Sequence, residues 1–141
     1  MAHILTDAAL GAAPLAPHCA FDERARALLT AATSLIALLE TGQCVESACL
    51  RDAMTTAFGG TDAEGAWDWK SAYDACEVAQ ILFLRRFGPA ILSRSGSRSR
   101  ALALIERVSA LMPTHTRRSE TSLALQQYST PAGLSFVAVV A

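Results

Sequence analysis

The sequence predicts an all-α protein, a compact bundle of four main helices followed by a short C-terminal helical segment. Four stretches repeat their apolar residues at spacings of three and four, which indicates amphipathic helices rather than strands. Of the 141 residues, 52% are hydrophobic and 18% are charged, and this length is typical of one domain with its own core. We divide the chain into a flexible N-terminal arm (1–20), a helical bundle (21–112) and a C-terminal segment (113–141).

The first two helices are indicated by an apolar stripe and by the residues that interrupt it. Residues 1–20 contain two prolines and many small residues, which is typical of a loosely held arm. The stripe over Phe21–Glu40 then predicts the first helix. A second helix is expected over Val45–Phe58, where a Gly-Gly pair follows and breaks the pattern.

The longest helix is expected over Trp67–Phe87, ending before the Gly-Pro pair that follows. Its middle, Val78–Leu84, is apolar on nearly all sides, which is typical of a helix at the buried centre of a bundle. Residues 93–99 read SRSGSRS, which predicts a flexible basic linker. Ser97 or Ser99 is a suitable N-cap for the next helix.

The fourth helix is expected to run from this linker to Met112, where a proline closes it. A polar segment and a short helical turn should follow. Thr130 and Pro131 resemble an N-cap and a first-turn proline, so Ala132–Val140 should also be helical. A helix of nine mostly apolar residues needs a packing partner to be stable.

Charge is segregated along the chain, although the net charge is only −1. Residues 1–84 carry eleven acidic and four basic side chains, whereas residues 85–141 carry eight arginines and two glutamates. Two interpretations remain open. The halves fold against each other and neutralise, or an acidic surface faces one partner while a basic surface faces nucleic acid.

The charged side chains supply two sets of candidate contacts. The acidic set imitates a row of phosphates and so could block a nucleic-acid site on a protein partner. Its members are Asp62, Glu64, Asp68 and Asp74. The arginines are candidate phosphate contacts if DNA binds, although a solvated face is the alternative. Those expected to serve are Arg85, Arg86, Arg117 and Arg118.

The two tryptophans lie at the start of the predicted third helix, where helical geometry prevents both from facing inward equally. Trp69 is in register with Tyr73, Cys76 and Phe83, so we expect Trp69 to be buried. Trp67 is then the better candidate for an exposed anchor that binds a partner.

No catalytic or metal-binding pattern is found, so the sequence predicts neither an enzyme nor a cofactor. The four cysteines lack CxxC spacing, the three histidines are far apart, and no HExxH, GxSxG or glycine-rich phosphate loop occurs. Cys49 and Cys76 lie on helical faces among apolar residues, which indicates reduced thiols and a cytoplasmic location. No membrane span or charged leader is predicted.

Two stretches resemble a known family. Residues 61–88 (TDAEGAWDWKSAYDACEVAQILFLRRFG) and residues 113–131 (PTHTRRSETSLALQQYSTP) resemble the helical region that opens bacterial strawberry-notch-like proteins, which join a DNA adenine methyltransferase to a helicase. By this resemblance, Tyr128, Thr130 and Pro131 would lie beside S-adenosylmethionine. The sequence departs from the family because it stops before the cofactor-cradling loop and the adenine-binding motif, so no functional cofactor site is expected.

Two functions follow as expectations. The first is a non-catalytic interaction protein, encoded on a mobile element as proteins resembling this family are, that binds a host or phage protein complex. An inhibitor of a defence complex, of the anti-CRISPR kind, is one such protein. The alternative is an N-terminal fragment of a methyltransferase-helicase, inactive without its catalytic part.

Overall fold

The computed structural model describes residues 18–113 and 130–140, and within these ranges it contains five α-helices and no strand. The all-helical fold predicted from the sequence is therefore confirmed. The helices are α1 (His18–Glu40), α2 (Ser47–Phe58), α3 (Trp69–Ser95), α4 (Arg98–Ala110) and α5 (Ala132–Val140). Of the predicted N-terminal arm, only residues 18–20 are described, and they belong to α1.

The main core forms where α1 packs on α2 and on the first half of α3. The α1 stripe contributes the buried residues Ala31, Ala32, Leu35 and Leu39. Leu50 and Met54 of α2 are fully buried against it, and the α2 helix ends at Gly59, which adopts φ 69° and donates its N–H to the carbonyl of Thr55. This left-handed cap suits glycine because a Cβ would be strained there.

α1 and α3 run parallel, and two ion pairs show their register. Arg24 near the start of α1 lies 3.5 Å from the carboxylate of Asp68, just before α3. Glu40 at the end of α1 lies 2.6 Å from Arg86, in the second half of α3. Because α3 has 27 residues, it is about 40 Å long at 1.5 Å per residue and extends beyond α1.

α3 is longer than the sequence predicts, since it continues through Gly88 and Pro89 to Ser95. The predicted end at Phe87 is therefore wrong. Proline removes the helical hydrogen bond to the carbonyl four residues earlier, here that of Arg85. Arg85 and Pro89 are both exposed, so water can hydrate this carbonyl and the helix persists.

The predicted flexible linker is instead a tight turn between α3 and α4. Residues 93–95 are the last turn of α3, and Gly96 ends this helix with φ 70°. Of the two serines predicted as caps, Ser97 is the N-cap of α4. Its hydroxyl accepts a hydrogen bond from the N–H of Arg100 at 3.3 Å. The hydroxyl of Ser95 donates to the carbonyl of Ser97 at 3.1 Å, which closes the turn.

α4 runs back along α3 from the turn at Gly96 to the middle of α3, where Gln80 donates a hydrogen bond to Ser109 of α4. The end of α4 also meets the α1–α2 connection, because the N–H of Val45 donates to the carbonyl of Leu111 at 2.7 Å. α1 therefore runs beside α3 as far as Arg86, and α4 packs on α3 from about Gln80 to its end, so the two stretches overlap near the middle of α3. The side of α3 away from them is exposed at Ile81, so its apolar middle is not buried all round as predicted.

The last helix, α5, lies over the residues predicted for it and packs on α4. Gly133 approaches the side chains of Leu102 and Glu106, and a Cβ added there would lie 3.4 Å from both. The other side of α5 faces solvent, with Leu134 exposed by 62% and Val139 by 85%. Among the described helices, none has the length and hydrophobicity required to cross a membrane.

Candidate functional site

Trp67 is part of the core, which corrects the expectation that it is an exposed anchor. Its side chain is 2% exposed, and its indole N–H donates to the carbonyl of Gly60 at 3.0 Å. The expectation assumed that Trp67 lies inside the helix, but α3 begins at Trp69 and Asp68 is its N-cap. Because Trp67 belongs to the preceding loop, helical register does not decide which way it faces.

The loop before α3 folds tightly over the Trp67 ring. Ala66 donates its N–H to the carbonyl of Thr61 at 3.1 Å, and a Cβ placed on Gly60 would lie only 2.9 Å from the Cβ of Ala66. Gly60 therefore permits a close approach that a larger residue would prevent. These contacts fix the path of the loop that carries Asp62 and Glu64.

Trp69 is half-buried rather than fully buried. Its ring meets the Trp67 ring edge to face at a centroid distance of 5.6 Å, and the guanidinium of Arg51 lies 5.5 Å from the Trp69 ring centroid. The same guanidinium lies 3.7 Å from the carboxylate of Asp62. Arg51 thus links α2 to the loop through a cation–π contact and an ion pair, a role that we did not anticipate from its position in the sequence.

The four predicted acidic residues lie along one end of the molecule, in the loop before α3 and in the first turns of α3. We call this surface the acidic end; it consists of Asp62, Glu64, Asp68 and Asp74. Residues 61–77 contain five acidic side chains and one lysine. The positive end of the α3 dipole also favours negative charge at this position.

Glu64 is oriented by Thr61, which donates to it from its backbone N–H at 2.7 Å and from its hydroxyl at 2.8 Å. These two hydrogen bonds favour the ionised form, and they lower the pKa of Glu64 below its ordinary value. The carboxylate remains fully exposed to solvent. It is therefore a negative charge with a fixed position and an open face.

Asp68 caps α3 by accepting the N–H of Ser71 at 2.7 Å. This backbone hydrogen bond is the main reason why the pKa of Asp68 is lowered, and the nearby charge of Arg24 lowers this pKa further by a smaller amount. Arg24 also donates a hydrogen bond to the Ser71 hydroxyl at 2.8 Å. The Asp68 side chain is nevertheless 64% exposed. Its structural role as a cap leaves part of the carboxylate available to a partner.

Asp74 forms an ion pair with Lys70 at 2.8 Å on the surface of α3. The hydrogen bond to Asp74 is the main cause that raises the pKa of Lys70. Three of the four carboxylates at the acidic end therefore have a basic side chain within 4 Å, namely Arg51, Arg24 and Lys70. Exposed ion pairs of this kind contribute little to stability and are screened by salt.

The predicted phosphate contacts are only partly described. Arg85 is exposed and forms no ion pair with a described residue. Arg86 is already engaged, since its guanidinium pairs with Glu40 and lies 4.9 Å from the ring centroid of Phe87. Arg117 and Arg118 lie outside the described residues.

The ion pairs identified among the described residues show where the two charged halves meet. Of these four pairs, Arg86–Glu40 joins residues 85–113 to the acidic first half. The other three pairs lie entirely within the first half. Because the acidic end lies at the start of α3 and α4 begins just beyond the end of α3, the charge segregation of the sequence places Asp62, Glu64 and Asp68 far from Arg94 and Arg100 along the α3 axis.

The residues that the resemblance places beside a cofactor are only partly described. Tyr128 lies outside the described residues, whereas Thr130 and Pro131 are exposed before α5.

Cys76 is buried, and burial raises the pKa of its thiol to about 12. Cys49 is exposed, which corrects its expected place in an apolar environment. Within residues 18–113 and 130–140, no His, Cys, Asp and Glu side chains are grouped closely enough to hold a metal ion.

Comparison with protein-family models, with curated proteins and with solved structures finds no significant match to this chain. The resemblance to strawberry-notch-like proteins therefore stays a prediction.

Proposed function

We propose that this chain is a non-catalytic interaction protein whose acidic end binds a basic surface on a protein complex. The observation that carries the proposal is the fixed acidic end, where Glu64 and Asp68 are oriented by hydrogen bonds from Thr61 and Ser71. Carboxylates that are ordered before binding lose less conformational entropy when a partner docks. Such a row imitates phosphates and suits a protein surface that binds nucleic acid.

The local cations do not prevent this binding. Arg24 and Arg51 lie 3.5 Å and 3.7 Å from their carboxylates, and both side chains are more than half exposed. Pairs of this kind contribute about 0–1 kcal/mol, so a partner's arginines can replace them at little cost. Trp69 and Tyr73 are half-buried on the adjacent turn of α3, and they replace Trp67 as the aromatic contacts nearest to the acidic end.

The resemblance to cargo of mobile elements indicates the class of partner. We propose a host or phage complex that acts on nucleic acid, with an inhibitor of the anti-CRISPR kind as the specific form of this hypothesis. An inhibitor of this type needs charge and shape but no catalytic group. The acidic end supplies the charge.

The proposal is tested by removing charge without removing hydrogen-bond acceptors. The amide variant changes the four residues of the acidic end and comprises Asp62→Asn, Glu64→Gln, Asp68→Asn and Asp74→Asn. Asparagine still caps a helix, and the glutamine carbonyl can still accept from Thr61. A matched control removes four acidic charges elsewhere and comprises Glu23→Gln, Glu46→Gln, Asp52→Asn and Glu106→Gln.

Affinity-tagged chains are incubated with extract of the host cell, and the recovered complex is purified so that its dissociation constant can be measured. The amide variant should bind this complex at least about ten-fold more weakly, and its association should lose most of its salt dependence, since charge complementarity acts chiefly on the association rate. The control variant should bind as the wild type does. Equal affinities for the amide variant and the wild type would overturn the proposal.

The fragment hypothesis is the second candidate, and the exposed side of α5 favours it. Leu134 and Val139 are largely exposed on a helix without a charged residue, and a further domain would bury such a surface. A methyltransferase-helicase coding sequence directly downstream would support this candidate. S-adenosylmethionine should leave the melting temperature of the chain unchanged, because this sequence lacks the cofactor-cradling loop of the family. A ligand that did bind the native state would stabilise it and raise the melting temperature.

A further inference from the structure

A second charged surface lies on α4 and is distinct from the Arg85–Arg86 pair that the sequence predicts as phosphate contacts. Residues 85–113 contain six arginines and one glutamate, and all six arginines are exposed. The three that concern us are Arg94 in the last turn of α3 and Arg100 and Arg107 on α4. None of them forms an ion pair with a described residue.

Helix geometry places Arg100 and Arg107 on one solvent-facing stripe. The buried side of α4 carries Ala101 and Ile105, whereas Arg100, Ala103 and Arg107 follow one another at spacings of three and four and are all exposed. Arg107 lies seven residues after Arg100, so at 1.5 Å per residue the two arginines are about 10 Å apart along the helix axis. This length corresponds to about three base steps of duplex DNA at 3.4 Å each.

The single acidic residue of this region is directed toward α5 rather than lying on the arginine stripe. Glu106 lies close to Gly133, whose added Cβ would be 3.4 Å from the Glu106 Cγ and 3.7 Å from its Oε1. The stripe itself has only Ala103 between its two arginines. Among the described residues, no carboxylate forms an ion pair with Arg100 or Arg107.

We propose that the arginine stripe of α4, Arg100 and Arg107, together with Arg94, binds the phosphate backbone of duplex nucleic acid without sequence preference. Charge complementarity selects the partner, and arginine is well suited to bidentate phosphate contacts. Residues 88–113 contain no aromatic side chain, so α4 itself offers no ring on which unpaired bases could stack, as single-strand binding requires.

This surface differs from the Arg85–Arg86 pair. Arg86 is held by Glu40, and Arg85 shares an exposed face of α3 with Ile81 and Leu92. Arg85 is for that reason a suitable control, because it is an exposed arginine of the same half that forms no ion pair with a described residue and lies off the stripe. The proposal concerns the end of the molecule opposite to the acidic end and does not depend on the protein partner.

The test measures fluorescence anisotropy of a labelled duplex of about 20 base pairs with the full chain. Three phosphate contacts predict a slope of log affinity against log salt of about −2.7, so affinity should fall about forty-fold between about 50 mM and 200 mM salt. Arg100→Gln with Arg107→Gln should weaken binding more than ten-fold and make the slope shallower by about 2. Glutamine keeps a helix propensity similar to that of arginine, and circular dichroism verifies the fold.

Arg85→Gln should change the affinity less than two-fold. The proposal is overturned if the wild-type chain fails to bind the duplex at low salt, if Arg85→Gln weakens binding as much as the double substitution, or if a single strand of equal length binds more tightly than the duplex. Binding to phosphatidylserine vesicles without binding to the duplex would also overturn it. The amide variant of the acidic end should bind the duplex as well as the wild type does, so failure here leaves the protein-partner proposal standing.

Discussion

Replacement of Trp67 separates the observed fold from the helical-register argument. The register argument makes Trp69 the core residue and Trp67 an exposed anchor, so it predicts that Trp67→Ala leaves stability unchanged. In the structure the Trp67 ring is 2% exposed and its N–H is bound to Gly60. Removing a buried aromatic ring of this size should lower the free energy of unfolding by about 3–5 kcal/mol.

Two further substitutions resolve this effect into its parts. Trp67→Phe keeps most of the buried ring and leaves the carbonyl of Gly60 without its donor, which should cost about 1–2 kcal/mol. Trp69→Ala removes a half-buried ring and the cation–π contact with Arg51, and it should also cost about 1–2 kcal/mol. The expected order of stability loss places Trp67→Ala well above the other two.

Urea and thermal unfolding followed by circular dichroism provide the measurement. The largest loss should lower the melting temperature by at least about 8 °C for a domain of this size. In Trp69→Phe, where Trp67 is the remaining tryptophan, fluorescence emission should be blue-shifted and acrylamide should quench it weakly. If Trp67→Ala costs less than about 1 kcal/mol while Trp69→Ala costs more, the packing described for the loop before α3 is wrong.

Three other substitutions or modifications have defined outcomes. Asp68→Ala should lower the unfolding free energy by about 0.5–2 kcal/mol at neutral pH, and Asp68→Asn should lower it less. Because the folded-state pKa of Asp68 is lowered, its stabilisation is present above the unfolded-state pKa and is lost as pH falls through the folded-state pKa. A stability loss in Asp68→Ala that persists unchanged in strong acid would contradict this. Pro89→Ala should raise the unfolding free energy by about 1–3 kcal/mol, since it restores a helical hydrogen bond inside α3, whereas no gain would indicate that the helix ends before residue 88. Iodoacetamide at pH 8 should label the exposed Cys44 and Cys49 well before Cys76, because thiolate is the reactive form and burial raises the pKa of Cys76 to about 12. Peptide mass spectrometry measures the labelling rates, and equal rates would refute the burial of Cys76.

The sequence by itself determined the helices whose pattern is local. The α1 stripe predicted the buried Leu35 and Leu39, because a repeat of three and four residues can bury one face only as a helix. The sequence limited the cap of α4 to Ser97 or Ser99 for a similar reason, since a side chain that bonds to nearby backbone acts within a few residues, and Ser97 is the cap in the structure. The charge segregation was also readable, because it requires only a count along the chain.

The tertiary structure decided what depends on contacts between distant residues. α3 passes Pro89 because packing with α4 stabilises its second half, and the local cost of proline contains no information about that partner. Trp67 is buried because a loop, rather than a helix, directs its ring beneath Gly60. The acidic end lies at the start of α3, whereas Arg94 and Arg100 lie beyond Arg86, the residue that pairs with the end of α1. Whether opposite charges meet is a property of that packing and not of their order in the chain.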